Sequence, residues 1–386
     1  MGAPSEIVLG IDLGTSYSSA AAVVNGRLHF ALDNRGEACV PSVVHFPRSG
    51  PILVGADADR LRASDPANTV FGIKRLVGHS ADSPAARLLD ACSAFKIKAQ
   101  PGGEAAVVVR SGEHGATEVA ALILRHLRER AEARFQRRIG KAVLTVPVGA
   151  TQGVREAMAR AGRIAGLEVL RIVSEPCAGA VARLGNASWG AAPLLVYDFG
   201  GGTFDAAVVQ GQAKQLRVLS AGGDDCLGGD DFDLAFARWI ANGVHRTRSV
   251  DVTLDAILWD RIQRQCELVK RALSSSSEAR FQVKDERGAG AGQHLDYLVR
   301  REHLVQPWSE LVQRSVAAAV ETVRAAGVET GDLGAILLIG GTSYVPQVRA
   351  AVAQAFPRPC IVEEDPQTAV ARGAALLAAA PDLLAA

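Results

Sequence analysis

Tyr197-Asp198-Phe199-Gly200-Gly201-Gly202-Thr203-Phe204-Asp205 follows the apolar run Pro193-Leu194-Leu195-Val196 and precedes a second, Ala206-Ala207-Val208-Val209. The pattern predicts strand, tight glycine turn, strand. Three consecutive glycines let the backbone approach a bulky anion and turn its N–H groups toward it. An acid at the strand end beside such a loop suits a hydrated Mg²⁺. Taken alone, the stretch reads equally well as a plain β-hairpin with a glycine turn.

Nearly half a chain earlier the pattern recurs. Ile7-Val8-Leu9-Gly10-Ile11 runs into Asp12-Leu13-Gly14-Thr15-Ser16-Tyr17-Ser18-Ser19, then Ala20 to Val24, closed by Asn25-Gly26, a strong hairpin turn. With Asp12 set on Asp198, Gly14 meets Gly200 and Ser19 meets Asp205. A repeat on this scale predicts two related lobes, each presenting a strand-turn-strand loop to one shared ligand.

The composition fits two globular lobes. The chain has 386 residues, 48% hydrophobic and 22% charged, with a net charge of +1. Mixed acids and bases exclude nucleic acid and an anionic membrane as main partners. No apolar run reaches membrane-spanning length. Cys39, Cys92, Cys177, Cys226, Cys266 and Cys360 lack metal or redox spacing, so they are expected as free thiols in a reducing compartment. With no signal-peptide pattern at the N-terminus, a cytoplasmic location is expected, and the Asn186-Ala187-Ser188 sequon then carries no meaning.

Other stretches carry candidate chemistry. Residues 43–116, rich in proline, read as a small irregular insertion holding Lys74 and Arg75 in an apolar setting. Thr117 is expected to cap a helix to Arg138, and Thr151 another that Gly166 stops. A strand then delivers Glu175 to the N-terminus of a helix over Cys177–Leu184, a position where α/β proteins place catalytic groups. Gly222 to Asp233 reads as a hinge-like loop entering a helix, Phe232 to Asn242. On a later helix Glu267, Lys270, Arg271 and Ser274 share one polar face that could grip a nucleoside. Leu304 to Ala326 reads as a long helix broken by Pro307. The apolar strand Ala335–Ile339 runs into Gly340-Gly341-Thr342-Ser343, an anion cradle before a helix.

As a set these stretches resemble the nucleotide-binding domain of the DnaK-type 70-kDa heat-shock chaperones, in that family's order and spacing. The matching pieces are Gly10 to Thr15, Ile73 to Gly78, Ala161 to Val169, Glu175-Pro176, Tyr197 to Asp205, Leu227 to Asp233, and Gly340-Gly341. The resemblance implies an α/β, actin-like ATPase fold with duplicated ribonuclease H-like lobes and a nucleotide cleft between them. Lobe I would span 1–190, with core 1–42 and 117–190 and an inserted subdomain 43–116. Lobe II would span 191–380, with core 191–229 and 306–380 and an inserted subdomain 230–305. Residues 381–386 would be a tail or the start of a linker, and no peptide-binding domain is expected within the chain.

The resemblance also implies roles. Asp12 and Asp198 would hold hydrated Mg²⁺, with K⁺ as a further candidate ion. Gly14, Thr15, Ser16, Tyr17 and Gly200, Gly201, Gly202 and Thr203 would cradle the phosphates of ATP or ADP. Lys74, Glu175, Thr203 and Asp205 would be catalytic. Gly229, Glu267, Lys270, Arg271, Ser274, Gly340, Gly341, Thr342 and Tyr344 would complete the nucleotide site. Pro147 and Arg155 would couple nucleotide state to a peptide-binding domain. Implied partners of this monomer are a J-domain co-chaperone, a nucleotide exchange factor, and unfolded polypeptide if a peptide-binding domain exists elsewhere. Tyr344 replaces a stacking Arg, Gln367 an Asp, and Asp225-Cys226 a Thr-His pair, while Gly149 and Ala150 replace aromatics. These departures leave two alternatives open: a nucleotide-gated binding module with little turnover, and a sugar-kinase-like phosphotransferase.

Overall fold

In the computed structural model, residues 6–33, 35–184, 192–212, 215–284, 294–363 and 365–384 are described. The sequon at Asn186 and the lobe boundary expected at 190 lie outside them.

The two glycine hairpins share one register. Leu194–Phe199 pairs antiparallel with Phe204–Gln212, setting Asp198 opposite Asp205. Val8–Asp12 pairs antiparallel with Tyr17–Val24, setting Asp12 opposite Ser19. Each leading strand also has a parallel neighbour and an outer parallel strand beyond it. In the first sheet these are Lys141–Val146 and Glu168–Ser174. In the second they are Ala335–Ile339 and Cys360–Val362. Such strands are covered on both faces, so they read as unbroken apolar runs; all five residues of Ala335–Ile339 are buried. Asn25 and Gly26 take positive φ of 52° and 74°, which a two-residue hairpin turn requires.

Several elements depart from expectation for local reasons. Gly115, not Thr117, occupies the cap of the helix Ala116–Phe135, while Thr117 is buried and donates to Glu104 at 2.6 Å. Pro307 does not break its helix, Val305–Ala325; it lies in the first turn, where a missing N–H costs nothing. The helix expected from Phe232 begins earlier, as Gly229–Arg248, and the loop expected from Gly222 starts inside the strand Gln215–Asp224. Residues 43–116 are more regular than expected. They hold two antiparallel three-stranded sheets, one centred on Val44–His45 and one on Ala105–Val109.

Separate apolar clusters underlie the two sheets. One gathers Leu9, Ile11, Ile123, Leu124 and Leu127. The other gathers Phe199, Phe204, Phe232, Phe236 and Trp308. A third, with Val143, Val173, Val196 and Val370, lies where the sheets meet through the helices Glu175–Leu184 and Ala369–Ala379. All six cysteines are free. Among the described residues no helix is long and apolar enough to cross a membrane. Leu384 forms a parallel bridge with Leu216, and Arg171 donates to the Pro381 carbonyl at 3.0 Å.

Candidate active site

The two hairpin turns face each other across one cleft of about 390 Å³. Asp12, Gly14, Thr15, Ser16 and Tyr17 line it from one side, Asp198, Gly200, Gly201 and Thr203 from the other. They approach so closely that side chains on the second turn are excluded. A Cβ on Gly201 would lie 2.0 Å from Ser16 Oγ, and one on Gly202 2.4 Å from Thr15 Oγ1. The second turn is braced by its surroundings. Thr342 Oγ1 donates to the Gly200 carbonyl at 2.7 Å, and the Gly229 and Asp230 N–H groups donate to the Gly200 and Gly201 carbonyls at 3.0 and 2.7 Å. Ser16 Oγ donates to Asp230 Oδ1 at 2.7 Å, tying the first turn to the helix Gly229–Arg248.

Charge is concentrated at the floor. Lys74 lies in a 3₁₀ turn, Ile73–Arg75, that follows Gly72 at φ 65°. Its Nζ donates to Glu175 Oε1 at 2.6 Å, and both side chains are buried. Burial alone would push Lys74 down; Glu175, Asp12 and Asp205 together hold it above its ordinary value, so it carries its charge. Burial raises Asp12 from the usual carboxylate range, with Lys74 and a Thr145 hydroxyl at 3.2 Å opposing. Burial also raises Asp198, with repulsion from Asp205 and Asp12 adding to it. Asp205, buried and pushed up to about 6, accepts from the Val148 N–H at 2.6 Å.

Four carboxylates thus surround one lysine. That excess of negative charge fits a divalent cation at Asp12 and Asp198. Among the described residues no group of three or more His, Cys, Asp or Glu is placed to hold a metal. An aspartate pair suits a Mg²⁺ ion that keeps most of its water, not a closed protein cage.

The other end of the cleft is lined by Glu267, Lys270, Arg271 and Ser274 from the helix Ala256–Ser275, and by Gly340, Gly341, Thr342 and Tyr344. Each member of the first group already has a partner within the protein. Lys270 Nζ donates to the Gly229 carbonyl and to Asp233 Oδ2, both at 2.6 Å. The Ser274 hydroxyl turns back to the Lys270 carbonyl at 3.3 Å. Arg271 Nη1 donates to the Tyr17 hydroxyl at 3.0 Å, which donates to Glu267 Oε1 at 3.2 Å.

Gly202, Asp205 and Arg155 are not among the residues that line the cleft. Pro147 borders a small side cavity of about 30 Å³ shared with Thr15, Lys74, Thr203 and Asp225. In that cavity Asp225 sits where a Cβ on Gly149 would come within 3.2 Å of its Oδ2. Asp230, Asp233, Ser275, Pro366 and Val370 also line the cleft, beyond the residues expected there. The paired acids after Gly228-Gly229 were a signal for Asp230. Nothing local pairs Asp233 with a lysine so far along the chain.

A model of the Hsp70 protein family matches residues 8–381. Two similar proteins are the mitochondrial 70-kDa heat shock proteins of Pisum sativum and Solanum tuberosum. Each is 34% identical, over 371 and 374 residues respectively, across 96% of this chain and 54% of its own length. The chain therefore spans about half the length of these relatives. Both are mitochondrial by name, which overturns the cytoplasmic location expected from the sequence. A match that runs through both copies of the duplicated hairpin leaves one assignment: the chain belongs to the Hsp70 family, and its architecture is the actin-like ATPase fold.

Proposed function

We propose that this chain is the ATP-binding, slowly ATP-hydrolysing part of a molecular chaperone. The observation that carries the reading is the pair of glycine turns, from the two halves of the duplication, meeting over buried Lys74 in one cleft. Backbone N–H groups of Gly14 to Ser16 and Gly200 to Thr203 bind the phosphates of ATP and ADP. Lys74 neutralises the γ-phosphate, while Glu175, Thr203 and Asp205 orient the attacking water. Asp12 and Asp198 would hold a hydrated Mg²⁺, which would supply further charge neutralisation. Phosphoryl transfer to water is mostly positioning and electrostatics, so no strong base is required. Glu267, Lys270, Arg271 and Ser274 hold the nucleoside against Gly229, Gly340, Gly341, Thr342 and Tyr344.

The lobe boundaries given above, at 190 and 380 with insertions 43–116 and 230–305, are part of the same proposal. So are the partners: a J-domain co-chaperone, an exchange factor and, if a peptide-binding domain exists elsewhere, an unfolded polypeptide. Pro147 and Arg155 carry the coupling. The residue after Pro147 donates its N–H to Asp205, so a shift of that segment reaches the hydrolytic end. Single-turnover assays with labelled ATP test the reading. Lys74→Ala and Thr203→Ala should each slow hydrolysis about 100-fold or more. Two variants as active as the parent would remove these residues from the mechanism.

A further inference from the structure

The base end of the cleft differs in kind from its floor. Tyr344 lines the cleft, and Arg349, which does not, places its guanidinium 5.3 Å from the centre of the Tyr344 ring. Arg349 is held there by donating from Nε to the Ser343 carbonyl at 2.9 Å. The ring is therefore a stacking platform polarised by a cation behind it. Arg271 lines another wall, its guanidinium donating to the Tyr17 hydroxyl and lying 5.7 Å from the centre of the Tyr17 ring. Gln367, half-buried, completes this end; its Nε2 lies 3.2 Å from where a Cβ on Gly341 would stand. Among the described residues its amide has no hydrogen-bond partner. It lines the cleft with a donor and an acceptor that no other described residue takes up.

We propose that this chain takes purine nucleoside triphosphates without distinguishing adenine from guanine, stacking the base on the Arg349-backed Tyr344 ring and reading its edge with Gln367. The inference rests on the nucleotide reading of the cleft. Adenine presents an amino group at the position where guanine presents a carbonyl. A carboxylate at 367 could accept from the first and would repel the second. An amide can turn its carbonyl to the one or its N–H₂ to the other. A site whose polar groups can be satisfied by either ligand cannot reject one of them strongly. Stacking is also tolerant, because every purine has a π-face.

Calorimetry on the full chain with Mg²⁺ and non-hydrolysable ATP and GTP analogues tests this. The parent should bind both with dissociation constants within about tenfold of each other. Gln367→Glu should weaken the GTP analogue about tenfold while leaving the ATP analogue within about twofold. Tyr344→Ala should weaken both about tenfold, and Tyr344→Phe neither, which separates stacking from a folding defect. ATP preferred by more than about tenfold in the parent, or a ratio unmoved by Gln367→Glu, overturns the inference and leaves the nucleotide reading standing. Binding of neither analogue overturns both.

Discussion

Asp233 shows how much one side chain under the cleft depends on its partner. Burial raises its carboxyl to about 8 even though Lys270 opposes the shift, and its second oxygen, Oδ1, has no hydrogen-bond partner. An acid whose folded-state pKa lies above its unfolded value binds its proton more tightly when folded. Its contribution to stability is therefore greatest at low pH and is lost as pH rises from about 4 to about 8. Asp233→Asn removes that dependence. Urea unfolding of the nucleotide-free chain should show the variant gaining on the parent as pH rises from about 5 to about 8. A constant difference between them would mean that Asp233 does not titrate there. Asp233 was not legible in the sequence, because its lysine lies on another helix. Asp12 and Asp198 were legible at the cleft because each ends an apolar strand beside a glycine turn, whereas Lys74 was marked as catalytic only by the family resemblance.

At the scale of elements, the helix Ala369–Ala379 decides how the two sheets meet. It lies backbone to backbone on its neighbours. A Cβ on Gly373 would fall 1.7 Å from the Ala178 carbonyl oxygen, and one on Gly10 2.0 Å from the Ala375 nitrogen. No rotamer change relieves a clash with main chain, so Gly373→Ala must push this helix off Glu175–Leu184. We expect a loss of about 2–3 kcal/mol, read as a lower urea midpoint at unchanged slope. A midpoint within error of the parent would show that the helix can shift freely. The apolar strand Ala335–Ile339 was legible, because an unbroken apolar run reports burial directly. The seat of the helix Ala369–Ala379 against Gly10 was not, because close approach between distant segments leaves no periodic trace. The same limit explains Thr117. A hydroxyl near a helix start looks like a cap, but here Glu104 claims it and glycine takes the cap position.

Across the whole molecule, residues 43–116 and residues 230–305 are joined by ion pairs. Arg62 reaches Asp260 at 2.8 Å, Arg75 reaches Asp231 at 2.9 Å, and Arg264 reaches Asp59 at 2.8 Å. The first two are largely buried, at 14% and 7% exposure for Arg62 and Asp260 and 5% and 13% for Arg75 and Asp231. Buried pairs are weak evidence for stability, since their desolvation offsets much of the attraction. Their value here is conditional on geometry. They bridge residues 43–116 to residues 230–305, so opening the cleft would separate them. If nucleotide binds in the cleft as proposed, its release requires that separation, and we expect the pairs to act on the release rate more than on folding. Arg75→Met should leave Asp231 buried without its cation and speed nucleotide release about tenfold, a difference of about 1.4 kcal/mol in the barrier. Stopped-flow displacement of a fluorescent ATP analogue measures it. Raising the salt concentration should speed release much less than the substitution does, because buried pairs are poorly screened. Release that responds to salt and not to Arg75→Met would place the closing force on exposed charges elsewhere, and the buried pairs would then be consequences of closure without holding it.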